Sequence, residues 1–240
     1  MMKIKIYTVL ILFAASAEVF ASSVSVIFKG GFAPEIGGSM HTGWQAEHLD
    51  VYDGINDINR SKSGIKVSTI EKPVGAAAGA ELRYTGDALY FKTGADIVYA
   101  CAGGSGSTIN DFGSGDEKVD VDYSLWFYYV PVTAGIVIDY WDEVRIFAGG
   151  GAAYAYGTFS SSFSSDSIEH EATFSGYGIP LVAELGCEYL LSENAALCCG
   201  ITYLYGRSAV IENGTDYTRI DFSGFSFTAG LVFFYDFQAD

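Results

Sequence analysis

Apolar and polar residues alternate with period two over long stretches of this chain. Across residues 175–191 the odd positions read Tyr177, Ile179, Leu181, Ala183, Leu185, Cys187 and Tyr189. The even positions read Gly176, Gly178, Pro180, Val182, Glu184, Gly186 and Glu188. Successive side chains of a strand point to opposite faces, so this segment predicts a strand with one apolar face and one small or charged face. Residues 224–237 repeat the pattern. Phe225, Phe227, Ala229, Leu231, Phe233, Tyr235 and Phe237 share one face, and Gly224, Ser226, Thr228, Gly230, Val232, Phe234 and Asp236 share the other. Phe234 is the clear exception.

Length and aromatic placement give the apolar face a direction. At ~3.3 Å per residue and a tilt of roughly 40°, the run from Tyr177 to Tyr189 rises about 30 Å along a barrel axis. The apolar band of a membrane-spanning barrel is ~25 Å tall and is edged by aromatic girdles. By phase, Trp126, Tyr140, Tyr154, Tyr156, Tyr203, Tyr205, Tyr235 and Phe237 join Tyr177 and Tyr189 as outward girdle residues. Such a face is too long and too aromatic to fill a narrow interior, whereas glycine, serine and threonine suit one.

Segments of this kind fall near residues 24–35, 73–85, 88–100, 121–140, 144–158, 174–191, 195–208 and 220–237. The expected fold is all-β, an eight-stranded antiparallel transmembrane barrel, because lipid offers backbone groups no partner and an even, closed sheet leaves no edge. Tight turns are expected at Thr85-Gly86-Asp87, Trp141-Asp142-Glu143 and Ser192-Glu193-Asn194. The other connections, near 36–72, 101–120, 159–173 and 209–219, read as long polar loops at the opposite end. Val130-Pro131-Val132 and Ile179-Pro180-Leu181 are 49 residues apart, as are Tyr154-Ala155-Tyr156-Gly157 and Tyr203-Leu204-Tyr205-Gly206, which predicts two hairpins on one template. Proline cannot donate to a ladder, so bulges are expected at Pro131 and Pro180.

Eight strands enclose room for side chains only. The inward phase carries Lys29, Arg83, Lys92 and Arg145, with Glu81, Asp96, Asp139, Glu184, Glu188 and Asp236. Buried charges must pair or meet water. This set predicts an ion-pair and water network plugging the lumen, or alternatively a gated path for small solutes. Phe222, Phe127 and Leu125 are inward candidates at the loop end, where a cavity lined by them would favour a channel.

Composition narrows the class. Half the residues are hydrophobic and 15% aromatic, but only 18% are charged, and the net charge is −16. Such an acidic chain is not expected to bind nucleic acid through its phosphates. After the first residues the longest apolar run, 125–138, contains Pro131 and Gly135, so a spanning helix is not expected. Lys3 and Lys5, the apolar stretch 6–15 and Val19-Phe20-Ala21 read as an export signal over residues 1–21, leaving 22–240 as the barrel domain. Of Cys101, Cys187, Cys198 and Cys199, Cys187 and Cys199 flank the 192–194 turn and both face outward by phase, which can set them side by side across strands. A cross-strand bond there demands specific geometry, and free apolar cysteines are the favoured reading.

Several of these stretches resemble the small bacterial outer-membrane barrels of the OmpA/OmpX/opacity type, with OmpW-like proteins close by. The residues concerned are Val130-Pro131-Val132-Thr133-Ala134-Gly135 with Ala148-Gly149-Gly150-Gly151-Ala152, and Glu184-Leu185-Gly186-Cys187-Glu188-Tyr189 with Ser192-Glu193-Asn194. The closing Gly230-Leu231-Val232-Phe233-Phe234-Tyr235-Asp236-Phe237 resembles the assembly signal of such proteins, although Gln238-Ala239-Asp240 follow it. The resemblance implies residence in the bacterial outer membrane, with outer-membrane lipid and the barrel-assembly machinery as partners.

Candidate chemistry is sparse. His41, His48 and His170 all fall in expected loops, and no nucleophile–base–orienter spacing is readable, so neither an enzyme nor a cofactor or metal is expected. Asp111, Asp116, Glu117, Asp120 and Asp122 make the second loop acidic, without the spacing of a calcium loop. The expected role is structural, surface-exposed or adhesive, with long loops touching host or envelope molecules. The alternative is a narrow channel or lateral-opening transporter for small or hydrophobic solutes.

Overall fold

A computed structural model describes residues 23–34, 36–37, 64–67, 74–109, 118–165, 169–209, 211–213 and 216–236. The expected export segment 1–21, His41, His48, Asp111, Asp116, Glu117 and Phe237 lie outside the described residues. Among the described residues twelve strands are formed: β1 (Ser23–Phe32), β2 (Gly64–Val67), β3 (Val74–Thr85), β4 (Leu89–Ile109), β5 (Lys118–Trp141), β6 (Val144–Ser165), β7 (Glu169–Gly178), β8 (Leu181–Ser192), β9 (Ala195–Tyr205), β10 (Ile211–Asn213), β11 (Asp216–Thr218) and β12 (Gly224–Asp236).

The strands close on themselves. β1 pairs with β3, β3 with β4, β4 with β5, and β5 with β6. β6 pairs with both β7 and β8, β8 with β9, β9 with β12, and β12 with β1, every pair antiparallel. β7 and β8 are two halves of one stave interrupted at Ile179–Pro180, so the wall is a closed barrel of eight staves. Closure runs from Ser23↔Asp236 to Phe32↔Phe227 in an unbroken register. No helix among the described residues is long and apolar enough to cross a membrane, and the strands do the crossing instead.

The outward positions form a continuous apolar belt. Leu181 is 60% exposed, Phe28 54%, Ile97 52% and Leu185 54%. Water would penalise this surface by roughly 25 cal/mol for each Å² of it, and hydrocarbon removes that penalty. Aromatic residues edge the belt. Tyr140, Trp141, Tyr189 and Tyr235 lie near the short turns, and Tyr99, Trp126, Tyr128, Tyr154, Tyr177 and Tyr205 lie toward the other end. Several touch across the ladder: Tyr154 stacks on Tyr177 at 6.3 Å, and Tyr128 meets Tyr156 at 5.7 Å. The barrel therefore spans a membrane with its large apolar residues in lipid.

Three expectations about the wall change. First, most of the second and third polar connections is strand. β4 and β5 pair out to Ser107↔Lys118, β5 and β6 to Val119↔Ser165, and β6 and β7 to Ser164↔Glu169. Asp120 and Asp122 are thus strand residues. Above the lipid a strand needs no apolar face, so Ser160, Ser162 and Ser164 carry no hydrophobic alternation to betray it. The barrel wall stands tall on this side, and β2 adds to it by pairing with β4. Second, Pro131 causes no bulge. Its stave keeps register, and the β4–β5 ladder merely lapses at Gly94 and Ala95 and resumes unchanged. Pro180 does interrupt its stave, and its carbonyl accepts Ala153 N–H at 2.9 Å, which keeps the wall joined. Third, the two hairpins do not share a template. Tyr154 pairs with Val130, whereas Tyr203 pairs with Ala183, four positions from the Ile179 that a common template requires.

Candidate functional site: the filled lumen

The interior is built from the inward phase of every stave, and it is layered. On the long-connection side an apolar cluster crosses the bore. It includes Ile36, Tyr123, Leu125, Phe127, Phe159, Phe174, Ile220 and Phe222. Phe127 and Phe222 are both 0% exposed and meet edge to face at 5.2 Å. Small residues make room for them: a Cβ on Gly157 would press on Phe127, and one on Gly178 on the Phe222 ring. The three inward candidates Leu125, Phe127 and Phe222 therefore pack as a plug rather than lining an open cavity.

Below the plug lies a charge lattice. Lys29 Nζ is 2.7 Å from Glu81 Oε1 and 3.0 Å from Asp96 Oδ1. Lys92 Nζ is 3.1 Å from Glu81 Oε1 and also pairs with Glu184. Glu184 accepts hydrogen bonds from the Tyr90 hydroxyl at 2.6 Å and the Thr133 hydroxyl at 2.8 Å. These residues come from β1, β3, β4, β5 and β8, so the lattice ties opposite walls together across the bore. Glycine again supplies the space. A Cβ on Gly79 would collide with the Asp96 carboxylate, and one on Gly149 with the Tyr90 hydroxyl and the Ala134 backbone.

Nearer the short turns Arg83 Nη1 lies 2.6 Å from Glu188 Oε1, and its guanidinium sits 4.0 Å over the Phe147 ring. Both residues are buried. Arg83 Nε and Nη2, Asp96 Oδ2 and both Glu188 oxygens make no hydrogen bond within the protein. The Arg83–Glu188 contact is thus an ion pair by distance without hydrogen-bond geometry. A cavity of about 70 Å³ lies against Arg83, Lys92, Glu184, Glu188 and Thr202, and is polar and roomy enough for water to solvate such groups. A last apolar patch of Ile27, Ala196, Val232 and Phe234 closes the short-turn end, which explains why Phe234 breaks the alternation.

Of the ten residues expected in the lumen, Lys29, Glu81, Arg83, Lys92, Asp96, Glu184 and Glu188 meet in this interior. Asp139 and Arg145 do not. They pair with each other at 3.1 Å at the short-turn rim, where their side chains are 65% and 31% exposed. Their phase is inward, but they sit beside a register shift between Asp139 and Trp141, at the very end of the wall. Asp236 pairs with Ser23 in the ladder, and its side chain lies outside the described residues. The girdle residues Trp126, Tyr140, Tyr154, Tyr177, Tyr189, Tyr205 and Tyr235 are exposed on the outer surface, with Tyr156 and Tyr203 partly covered by neighbours. Sequence reading missed Tyr90, Thr133 and Phe147. Tyr90 shares phase with Lys92 and Asp96, a signal that was available. His170 sits in β7 opposite Phe163. Among the described residues, no group of three or more His, Cys, Asp or Glu is placed to hold a metal.

The sequence matches no protein-family model and no curated protein. Solved structures similar in fold include the outer membrane protein OprG from Pseudomonas aeruginosa, with 14% identity, a TM-score of 0.42, and 90% of this chain and 98% of that one covered. Ail, the attachment invasion locus protein of Yersinia pestis, aligns at 14% identity and a TM-score of 0.35, covering 88% and 98%. The outer membrane protease OmpT from Escherichia coli aligns at 10% identity and a TM-score of 0.42, covering 90% and 97%. At such values the membrane assignment rests on the closed ladder and the outward belt described above.

Proposed function

We propose that this chain is an integral bacterial outer-membrane barrel with a closed bore, acting as a structural or adhesive surface element through the tall wall and connections above the lipid. The observation that carries this reading is the Phe127–Phe222 contact, fully buried across the lumen above an ion-pair lattice. A bore filled by side chains at three successive levels leaves function to the outer rim. The Ser- and Thr-rich outer face of β6 and β7, where Thr158 bonds Ser175 at 2.8 Å and Ser160 bonds Thr173 at 3.2 Å, is a hydroxyl-bearing surface suited to envelope or host molecules. The even, antiparallel, closed wall and the export-type N-terminal segment support the outer membrane as its location.

Planar-bilayer recording on refolded protein tests the closed bore. Silence at moderate voltage is expected. Steady, discrete current steps would overturn it in favour of the second reading, a narrow channel or lateral-opening transporter. One feature favours that second reading: the stave break at Ile179–Pro180, beside which, among the described residues, β7 meets the next stretch of chain through an isolated Gly178↔Ser208 bridge and a 3.2 Å hydrogen bond from Ala209 N–H to the Tyr177 carbonyl.

A further inference from the structure

We propose that Cys187 and Cys199 are joined by a cross-strand disulfide in the exported protein, and that this bond locks the register of the β8–β9 hairpin. The two residues are direct partners in the β8–β9 ladder. Their sulfurs lie 3.1 Å apart, well inside the contact distance of two unbonded sulfurs, and both side chains face outward. Directly opposed Cβ atoms in an antiparallel pair sit ~4.5–5.5 Å apart, and a disulfide asks for about 3.5–4.5 Å, so a small local approach suffices. The adjoining Gly186↔Gly200 pair carries no side chain on the inner face, so no interior packing resists that approach.

A neighbouring cysteine makes the choice of partner meaningful. Cys198 is adjacent to Cys199 but turns inward, opposite Glu188, and packs against the buried Ile27, Ala196, Val232 and Phe234 patch. A Cys187–Cys198 bond would shift the pairing by one residue and turn the apolar face of one strand into the lumen. Only the Cys187–Cys199 bond agrees with the barrel. Forming it removes two electrons and two protons from the thiols. The acceptor is the disulfide of an envelope dithiol–disulfide oxidase. One cysteine thiolate attacks it to give a mixed disulfide, the second displaces the oxidase sulfur, and the oxidase leaves as a dithiol. Oxidation precedes insertion, because afterwards both sulfurs face lipid, out of reach of a water-soluble oxidase. In one respect the inference rests on the reading proposed above, since an exported chain crosses an oxidising compartment.

The full chain, recovered from the outer-membrane fraction without reductant, is denatured, alkylated with iodoacetamide and cut with a glutamate-specific protease, which cleaves between the two cysteines. The expected result is two peptides held together through Cys187 and Cys199, lighter by two hydrogens than the separate thiols. The link should persist in C198S and vanish in C199S. Alkylation of both Cys187 and Cys199 in membrane-recovered protein would overturn the proposal, as would a link that survives C199S. Absence of the chain from the outer membrane would instead count against the proposed location. The same digest on protein refolded in detergent with oxidised glutathione then decides the bond: linked peptides uphold it, and alkylated ones overturn it.

Discussion

At the scale of single residues, the interior combines charge with very small neighbours. Arg83 and Glu188 are buried together, and the arginine also covers Phe147. Removing one partner of such a pair leaves the other charge without compensation, which typically costs about 3–5 kcal/mol. R83M should therefore lower unfolding free energy in detergent by an amount in that range, read from urea titrations. A change within error would mean that water already solvates Glu188 well enough. Gly79 offers a complementary test. Its absent Cβ is what lets the Asp96 carboxylate reach Lys29. G79A should cost about 1–3 kcal/mol by overpacking, although alanine is a better strand residue than glycine by propensity. A stabilised G79A would show that the carboxylate has somewhere else to go.

At the scale of elements, the staves are long because they serve two media. In β8 the outer face reads Leu181, Ala183, Leu185, Cys187 and Tyr189. In the upper part of β6 the outer positions are Thr158, Ser160 and Ser162. The same backbone geometry thus meets lipid in one place and water in another. L185R should destabilise insertion by about 2–4 kcal/mol, the depth-dependent cost of a cation in the hydrocarbon layer. S162R should cost less than 1 kcal/mol, since that position lies above the aromatic edge. Folding titrations into lipid vesicles measure both. Equal penalties would mean that the upper wall is also embedded. The pairing of β5 with β6 and the expected turns at Asp142-Glu143 and Glu193-Asn194 follow from local pattern and turn chemistry. The upper extensions of β4, β5 and β6 were not legible, because a polar strand and a polar loop share the same composition.

At the scale of the whole molecule, closure and filling are separate properties. Closure satisfies the backbone in lipid, and it is achieved by β1 meeting β12 over ten residue pairs. Filling is redundant: an aromatic layer, a charge lattice and a second apolar patch succeed one another along the axis. This redundancy has a measurable consequence. The double variant F127A/F222A removes the upper layer but leaves the Lys29–Glu81–Lys92–Glu184 lattice beneath it. It should remain silent in planar bilayers while losing several kcal/mol of stability. Current appearing in the double variant alone would show that the aromatic layer by itself closes the bore.

Periodicity along the chain was enough to place the lipid-spanning strands, and to say which side chains leave the barrel and which take the inward phase. Those properties depend on neighbours one or two positions away, because a strand alternates faces whatever surrounds it. Tertiary structure alone decided which inward groups meet. Tyr90 and Glu184 are 94 residues apart in sequence yet share a hydrogen bond, while Asp139 has the right phase and ends at the rim. Phase says in or out but not how high along the axis a residue sits. That height depends on the stagger between all eight staves, a quantity that exists only once the sheet has closed.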